Sequence, residues 1–280
     1  VDALVALIAE YEARVSIAVV LEPGSISSLA LGNGAPGCTG EATRHAYTAG
    51  IAYAVQELSD RVPSAAIYLA AGDGGLLGWG ERVRTFVTHV SHLGLLAFRL
   101  RGFATNIGAY QPLGTACPTE HMTNLPSFCR SHPHEACCAD SCGLMERFNA
   151  GVGELNYVQL LARHLRIAMP GFEPHFVVDT GRNGVEKSKS DCSAEVSCNL
   201  RGAGFGPQPT ASTGHAAVDA FYWVLPPGTS DGCGGSDTHG PACRHIEPAC
   251  ARRGALDDAP EAGELFLPSL RRLAEQAPDA

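Results

Sequence analysis

The chain has 280 residues, 45% hydrophobic and 18% charged, enough to bury a real core in one large domain or two small ones. Its formal charge of -9 argues against a nucleic-acid partner, which wants a basic face. It holds no apolar run long enough to cross a membrane.

Taken in order, Ala3 to Tyr11 carries Leu4, Leu7, Ile8 and Tyr11 as a helical stripe. Val15 to Leu21 reads as a buried strand ending at Glu22-Pro23-Gly24-Ser25, and Glu41 to Leu58 as a helix. Ala65 to Ala70 is a second strand, Glu81 to His92 a helix, and Leu95 to Phe98 a third strand leading into Arg101-Gly102-Phe103-Ala104-Thr105-Asn106. From residue 111 to 149 the periodicity dissolves into cysteines, prolines and histidines, an irregular insertion that would be costly to order without staples. Glu154 to Ile167 returns as an amphipathic helix. Phe176-Val177-Val178 and Ala220 to Leu225 are apolar runs too short for helices, each followed by a Gly-rich loop with a carboxylate, Asp179 and Asp231. Pro260 to Gln276 has Pro just inside its start, glutamates in its first turn and arginines near its end, as a helix does.

Five continuously apolar strands, mostly separated by helices, predict a parallel sheet and an α/β fold. In such folds the binding site lies past the C-terminal ends of the strands. The strand count is short of a closed eight-unit barrel, leaving either a (β/α) barrel lacking its first strands or an open doubly wound sheet. A barrel of that kind would carry an unpaired edge and poor solubility unless something covers it. No Gly-rich phosphate loop follows the first strand, so no nucleotide cofactor is expected. The chain opens at Val1 with no methionine and no signal-like segment, from which we expect residues upstream to have been removed or to lie outside this sequence.

Eleven cysteines, mostly in Gly/Pro/Ser-rich loops, favour disulfides in a secreted protein, with one cysteine left over. Zinc is the rival for Cys129, His132, His134, Cys137, Cys138 and Cys142, although no paired C-x-x-C spacing occurs. We expect no metal.

Nine short motifs then occur in order. They are Leu21-Glu22-Pro23-x-Ser25, Ile67-Tyr68-Leu69-x-Ala71-Gly72, Leu77-Gly78-Trp79, Arg101-Gly102-Phe103-Ala104-Thr105-Asn106 and Asp179-x-x-Arg182-x-Gly184, followed by Cys198-Asn199-x-x-Gly202-x-Gly204-Phe205-Gly206-x-x-Pro209, Val218-Asp219-Ala220-Phe221-x-Trp223-Val224, Ser230-Asp231-Gly232 and Ala259-Pro260-Glu261-Ala262-Gly263. Together they resemble glycoside hydrolase family 6, the cellobiohydrolases and endoglucanases of cellulose, over nearly the whole chain except the insertion. The resemblance implies one domain over 1–280 with the fold of a distorted, TIM-like barrel of parallel strands. It also implies inverting hydrolysis of β-1,4-glucosidic bonds. That chemistry needs one protonated carboxyl for the leaving oxygen and one carboxylate to activate or order a water on the far face of the ring.

The resemblance makes Asp231 the base candidate, with Arg182, Trp79, Asn106 and Glu22 in support at a glucan-binding cleft. Each also has a plainer reading. Asp231 can be a turn aspartate bonding its own backbone, Arg182 a surface ion-pair partner, and Trp79 a core side chain. The family's proton donor falls on Gly24, a supporting aspartate on Ala70, a histidine on Asp73 and tryptophans on Leu76 and Ser197. A lysine and a glutamate before Asp231 are Leu225 and Thr229, and the family's Asp-Arg-Asp-Cys segment does not occur. In the family a cysteine of that segment pairs with the Cys38 position, which accounts for the odd cysteine, while Cys198 and Cys250 match a second bridge. Asp73 or Glu22 could stand in for the lost acid, although an exposed loop carboxyl at Asp73 has no reason for a raised pKa. The expectation is a monomeric, secreted β-glucan hydrolase with impaired catalysis, or a non-catalytic glucan-binding relative.

Overall fold

The computed structural model describes residues 1–21, 24–31, 40–186, 198–235 and 243–277. Glu22, Ser197 and Cys38, singled out above, lie outside the described residues. Five parallel strands form one sheet in sequence order: β1 (Ala18–Leu21), β2 (Ala66–Ala70), β3 (Gly102–Thr105), β4 (His175–Asp179) and β5 (Val218–Tyr222). The hydrogen-bonded ladder runs from β1 to β5 without joining its two edges. The strands are joined by α1–α8 in this order: α1 (Asp2–Ala9) enters β1, α2 (Ser25–Leu31) and α3 (Glu41–Arg61) lead to β2, and α4 (Gly74–Leu77) and α5 (Gly80–Ser91) to β3. The helices α6 (Leu125–Ser131) and α7 (Glu154–Ala168) precede β4, and α8 (Leu267–Glu275) closes the chain. No helix among the described residues is long and apolar enough to cross a membrane.

The period-two alternation decides which face meets the helices. Leu69, Phe103 and Phe176 pair across β2, β3 and β4 and are fully buried. Phe103 meets Phe86 of α5 edge-on at 6.0 Å between ring centroids. On the opposite face Tyr68, Gly102 and His175 share a row. Gly102 has to be glycine, because a Cβ there would lie 1.7 Å from the His175 carbonyl oxygen. Toward the N-terminal ends of the strands, Asp219 accepts from Tyr68 (2.7 Å) and from Arg101 Nε and Nη2 (both 2.8 Å), and meets His175 Nδ1 at 2.9 Å. Burial pushes this carboxyl up, but the hydrogen bonds and the charges of His175 and Arg101 prevail and hold it at about 2. One polar knot thus joins β2, β4 and β5 to Arg101, the residue before β3.

Three predicted elements need correction. Leu95 to Phe98 is a 3-10 helix (Gly94–Arg99), with Leu95 87% exposed, and the strand is the next segment, Gly102–Thr105. Gly102, Ala104 and Thr105 fill a fully buried strand although their small side chains carry little apolar pattern. The C-terminal helix starts only at Leu267. Residues before it are drawn out of helix by ties to the Asp231 loop: Ser230 N–H donates to Glu264 O (2.8 Å) and Gly263 N–H to Ser230 O (2.9 Å). The last strand begins at Val218 and ends at Tyr222, short of Leu225.

The insertion is more ordered than its composition suggests. It holds α6 and 3-10 turns at Thr119–His121, Ala136–Cys138 and Met145–Arg147. Bridges Cys117–Cys137 and Cys129–Cys138 pin it together. Cys142 is also disulfide-bonded. The sulfurs of the zinc alternative at Cys129, Cys137, Cys138 and Cys142 are therefore engaged in bridges, and His132 stacks on Phe128 at 4.6 Å. Further along, Cys198 pairs with Cys250, as the resemblance implied, and Cys233 with Cys243.

Candidate active site

The loops after β3, β4 and β5 converge on Asp231. Its Oδ1 accepts from Arg182 Nη1 at 2.5 Å. Its Oδ2 accepts from the Tyr110 hydroxyl at 2.5 Å and from Asn199 N–H at 2.7 Å. The Asn199 side chain closes a reciprocal latch: its Oδ1 accepts from Asp231 N–H (3.0 Å) and its Nδ2 donates to Gly232 O (2.8 Å). Around this carboxylate Arg182, Tyr110 and Asn199 are all buried, while the Asp231 side chain keeps 19% of its exposure and so an opening to solvent.

Arg182 is the spoke of the arrangement. Besides Asp231 it donates to the Tyr110 hydroxyl (2.9 Å), to Thr229 O and to Gly108 O (3.4 Å). Its guanidinium lies 5.3 Å from the Tyr110 ring centroid. Burial, with the charge of Asp231 next, pushes the Tyr110 phenol well above its ordinary range, which keeps that hydroxyl a donor to the carboxylate. The plain alternative of a surface ion pair at Arg182 is thereby replaced by a buried one. Gly232 packs against the Cys198–Cys250 bridge, where a Cβ would stand 3.3 Å from the Cys250 sulfur.

Asn106 and Asp179 fix the loops that carry these residues. Asn106 is fully buried at φ 61°, and its Nδ2 donates to Gln111 O (3.1 Å) and Asp179 O (3.0 Å) while its Oδ1 accepts from Gln111 N–H (3.2 Å). Asp179 accepts backbone N–H groups from Gly181 (2.9 Å), Gly108 (3.2 Å) and Leu225 (3.0 Å), one from each of the three loops. Burial raises its pKa despite these donors. The polar atoms of Asn106 are thus engaged within the fold.

Trp79 caps α5 and is half-buried: its Nε1 donates to Arg147 O (3.1 Å), and Arg82 covers the ring at 4.4 Å. The other family positions fall as follows. Gly24 is exposed at φ 90°, and a Cβ built on it meets nothing within 4 Å among the described residues. Its carbonyl instead accepts from Ser28 N–H (3.1 Å) in the first turn of α2. Ala70 is buried at the end of β2, and Leu76 is exposed. Leu225 packs over Gly108, and Thr229 gives its carbonyl to Arg182 and its hydroxyl to Pro226 O (2.7 Å). Asp73 corrects an expectation: it is 7% exposed, caps α4 through Leu76 N–H (3.1 Å), and stands near buried Glu154, which accepts from Gly74 N–H (3.0 Å). Sequence reasoning missed Tyr110 altogether, since it sits in an aperiodic loop, and it passed over the Asn199 amide although that residue lies in a quoted motif.

A family model described as glycosyl hydrolases family 6 matches residues 1–277. The chain belongs to glycosyl hydrolases family 6. The family 6 chain is 32% identical over 281 residues to the 1,4-beta-D-glucan cellobiohydrolase C of Emericella nidulans, covering 99% of itself and 53% of that protein. It is 30% identical over 284 residues to exoglucanase 3 of Agaricus bisporus, covering 99% of itself and 55% of that protein. Among solved structures, the catalytic core of the cellobiohydrolase Cel6A of Chaetomium thermophilum superposes with a TM-score of 0.74 at 31% identity, over 99% of this chain and 67% of that one. Cel6A of Humicola insolens, solved with glucose and cellotetraose, gives 0.72 at 29% identity, over 99% and 69%. The chain spans about half the length of the curated relatives it matches. Family 6 is a cellulose-degrading family, and the parallel sheet with its helices is the barrel-like α/β fold of these neighbours.

Proposed function

We propose that this chain is a family 6 β-1,4-glucan-binding protein in which inverting hydrolysis is severely impaired, because the base side of the site is kept and the proton donor is gone. The observation that carries the reading is the contrast between Asp231, held by three donors, and Gly24, whose Cβ position faces open space with no side chain of the described residues within 4 Å. Protonation of the leaving oxygen by a positioned acid typically contributes ~10²–10⁴-fold. A glucosyl alkoxide leaving without it is a poor leaving group. In this reading Asp231 orders a water, Arg182, Asn106, Tyr110 and Asn199 act as positioning residues, and Trp79 lines the cleft.

A second reading, a relative that binds glucan without cleaving it, is favoured by the three protein donors that Asp231 already holds. The disulfides support secretion, and the net charge supports a neutral glucan rather than nucleic acid as partner. We read the protein as a monomer. Reducing-sugar release from soluble β-glucan tests the main reading: robust turnover by the unmodified chain, abolished by Asp231→Asn, would overturn it. Affinity electrophoresis in the same polymer tests glucan binding, and migration unchanged by the glucan would remove that part.

A further inference from the structure

The insertion brings two disulfides into contact. Cys117 pairs with Cys137 and Cys129 with Cys138, and Cys137 and Cys138 are consecutive in the 3-10 turn Ala136–Cys138. The sulfurs of Cys117, Cys137 and Cys138 lie within 4.8 Å of one another, so a thiolate released from one bridge stands beside the other. A soft metal would need these sulfurs as free thiolates, and all three are spent in bridges. The two ends of the Cys117–Cys137 bridge are also held independently of it. Asn156 of α7, 1% exposed, accepts from Cys117 N–H (2.8 Å) and donates to Cys137 O (3.0 Å), and Gln159 Nε2 donates to Cys117 O (2.9 Å). Cys137 lines a cavity of about 260 Å³, whereas neither Cys117 nor Cys129 belongs to its wall.

We propose that the Cys117–Cys137 bridge is a thiol-exchange site, at which a low-molecular-weight thiol entering the cavity modifies Cys137 and rearranges both bridges. The thiolate of the entering molecule attacks Cys137 Sγ. A sulfur–sulfur bond forms there and the Cys117–Cys137 bond breaks, its electron pair leaving on Cys117 Sγ. Burial disfavours that thiolate, and Asn156 and Gln159 keep its backbone in place, so it attacks the neighbouring Cys138 Sγ rather than moving away. A Cys117–Cys138 bond forms, the Cys129–Cys138 bond breaks, and Cys129 takes up the proton that the entering thiol gave. Two disulfides and one thiol go in, and two disulfides and one thiol come out, so no separate oxidant or reductant is needed. The consequence falls on α6, which carries Cys129: it loses its covalent tie to the 3-10 turn while the turn stays bridged to Cys117.

The test treats the intact, oxidised chain with limiting 2-mercaptoethanol, quenches it with N-ethylmaleimide and maps the peptides by mass spectrometry. The expected products are a 2-mercaptoethanol adduct on Cys137, a Cys117–Cys138 bridge and an alkylated thiol on Cys129, with Cys198–Cys250 and Cys233–Cys243 retained. Cys142 lines the same cavity and is disulfide-bonded too, so an adduct confined to Cys142, or no adduct at all, would overturn the assignment of Cys137. An adduct on Cys137 with Cys129–Cys138 intact and the alkylated thiol on Cys117 would overturn the rearrangement. In Cys129→Ala/Cys138→Ala the Cys117 thiolate has no second bridge to attack and closes again on Cys137. The adduct is then expected to fall about tenfold, as an intramolecular thiol outcompetes a dilute external one, and an undiminished yield would count against the relay. Native trypsin cleavage after Arg130, exposed on α6, is expected to quicken once the thiol has reacted, and an unchanged rate would overturn the release of that helix.

Discussion

Replacing Arg182 by methionine probes the arrangement around Asp231 most directly. The substitution keeps the length of the side chain and deletes every donor. It removes the 2.5 Å pair to Asp231 and the bonds to Tyr110, Thr229 and Gly108 from a side chain that is 2% exposed. Removing one partner of a buried pair costs roughly 3–5 kcal/mol, because the other charge stays behind. Asp231 retains two donors and partial access to water, which places the expected loss at the lower end, about 3 kcal/mol. For a chain of this size that is roughly a 5 °C drop in Tm. Urea unfolding of Arg182→Met, Asp231→Asn and the double variant measures it. The two losses are expected to be sub-additive by at least about 1 kcal/mol, as for groups in one network. An Arg182→Met chain within about 0.5 kcal/mol of the unmodified one, or strict additivity, would refute the buried-pair argument.

Three other outcomes are expected. Asp219 has a folded pKa of about 2 against an ordinary 3.8, so its contribution is full above the unfolded value and is lost as the pH falls through the folded one. Acid titration of stability should thus steepen between about pH 4 and 2 in the unmodified chain and flatten there in Asp219→Asn, and identical profiles would refute the assignment. The Cys198–Cys250 bridge spans 52 residues, for which loop entropy gives about 4 kcal/mol, so the double alanine variant should lose roughly 2–4 kcal/mol by urea unfolding. Gly24→Asp should raise reducing-sugar release at least tenfold if the lost donor is the main lesion. It should also lower stability by roughly 1–2 kcal/mol, since φ 90° disfavours any L side chain, and a destabilised variant with no gain in release would place the lesion elsewhere.

What the sequence made legible follows physical periodicity. Three of the five strands stand on the apolar runs that predicted them and β5 overlaps its run, because strands of a parallel sheet read as near-continuous apolar segments. β3 was misplaced for the opposite reason. Its residues are small, since Gly102 lies against the His175 carbonyl, and small residues carry little pattern. Asp231 and Arg182 are nameable from motifs, but their contact, 49 positions apart in sequence, is supplied by the fold. Tyr110 carried no local signal at all. Its position is set by Asn106 turning the chain at φ 61° and holding Gln111 by both backbone groups, a long-range consequence of three loops meeting. Asp73 shows the reverse error: a Gly-rich context suggested exposure, whereas capping of α4 drew the carboxyl inward.

The two halves of the site differ in what the fold asks of them. Asp231 satisfies a buried guanidinium, a buried phenol and a backbone N–H, and its loop is tied to residues 263–264 and to a disulfide. Removing that carboxylate leaves Arg182 buried and uncompensated, so the base side is maintained by stability whether or not any glycoside is cleaved. Among the described residues, position 24 meets nothing within 4 Å in its side-chain direction and serves the fold through a carbonyl that every residue possesses. A carboxyl there stabilises no described neighbour, and glycine suits the φ of 90° better than aspartate does. On the reading proposed above, a scaffold released from catalysis would lose its donor before its base. Measured stabilities make the asymmetry testable: Asp231→Asn should cost folding free energy in the absence of any glucan, whereas removing a carboxyl from position 24, by comparing Gly24→Asp with the unmodified chain, should return it.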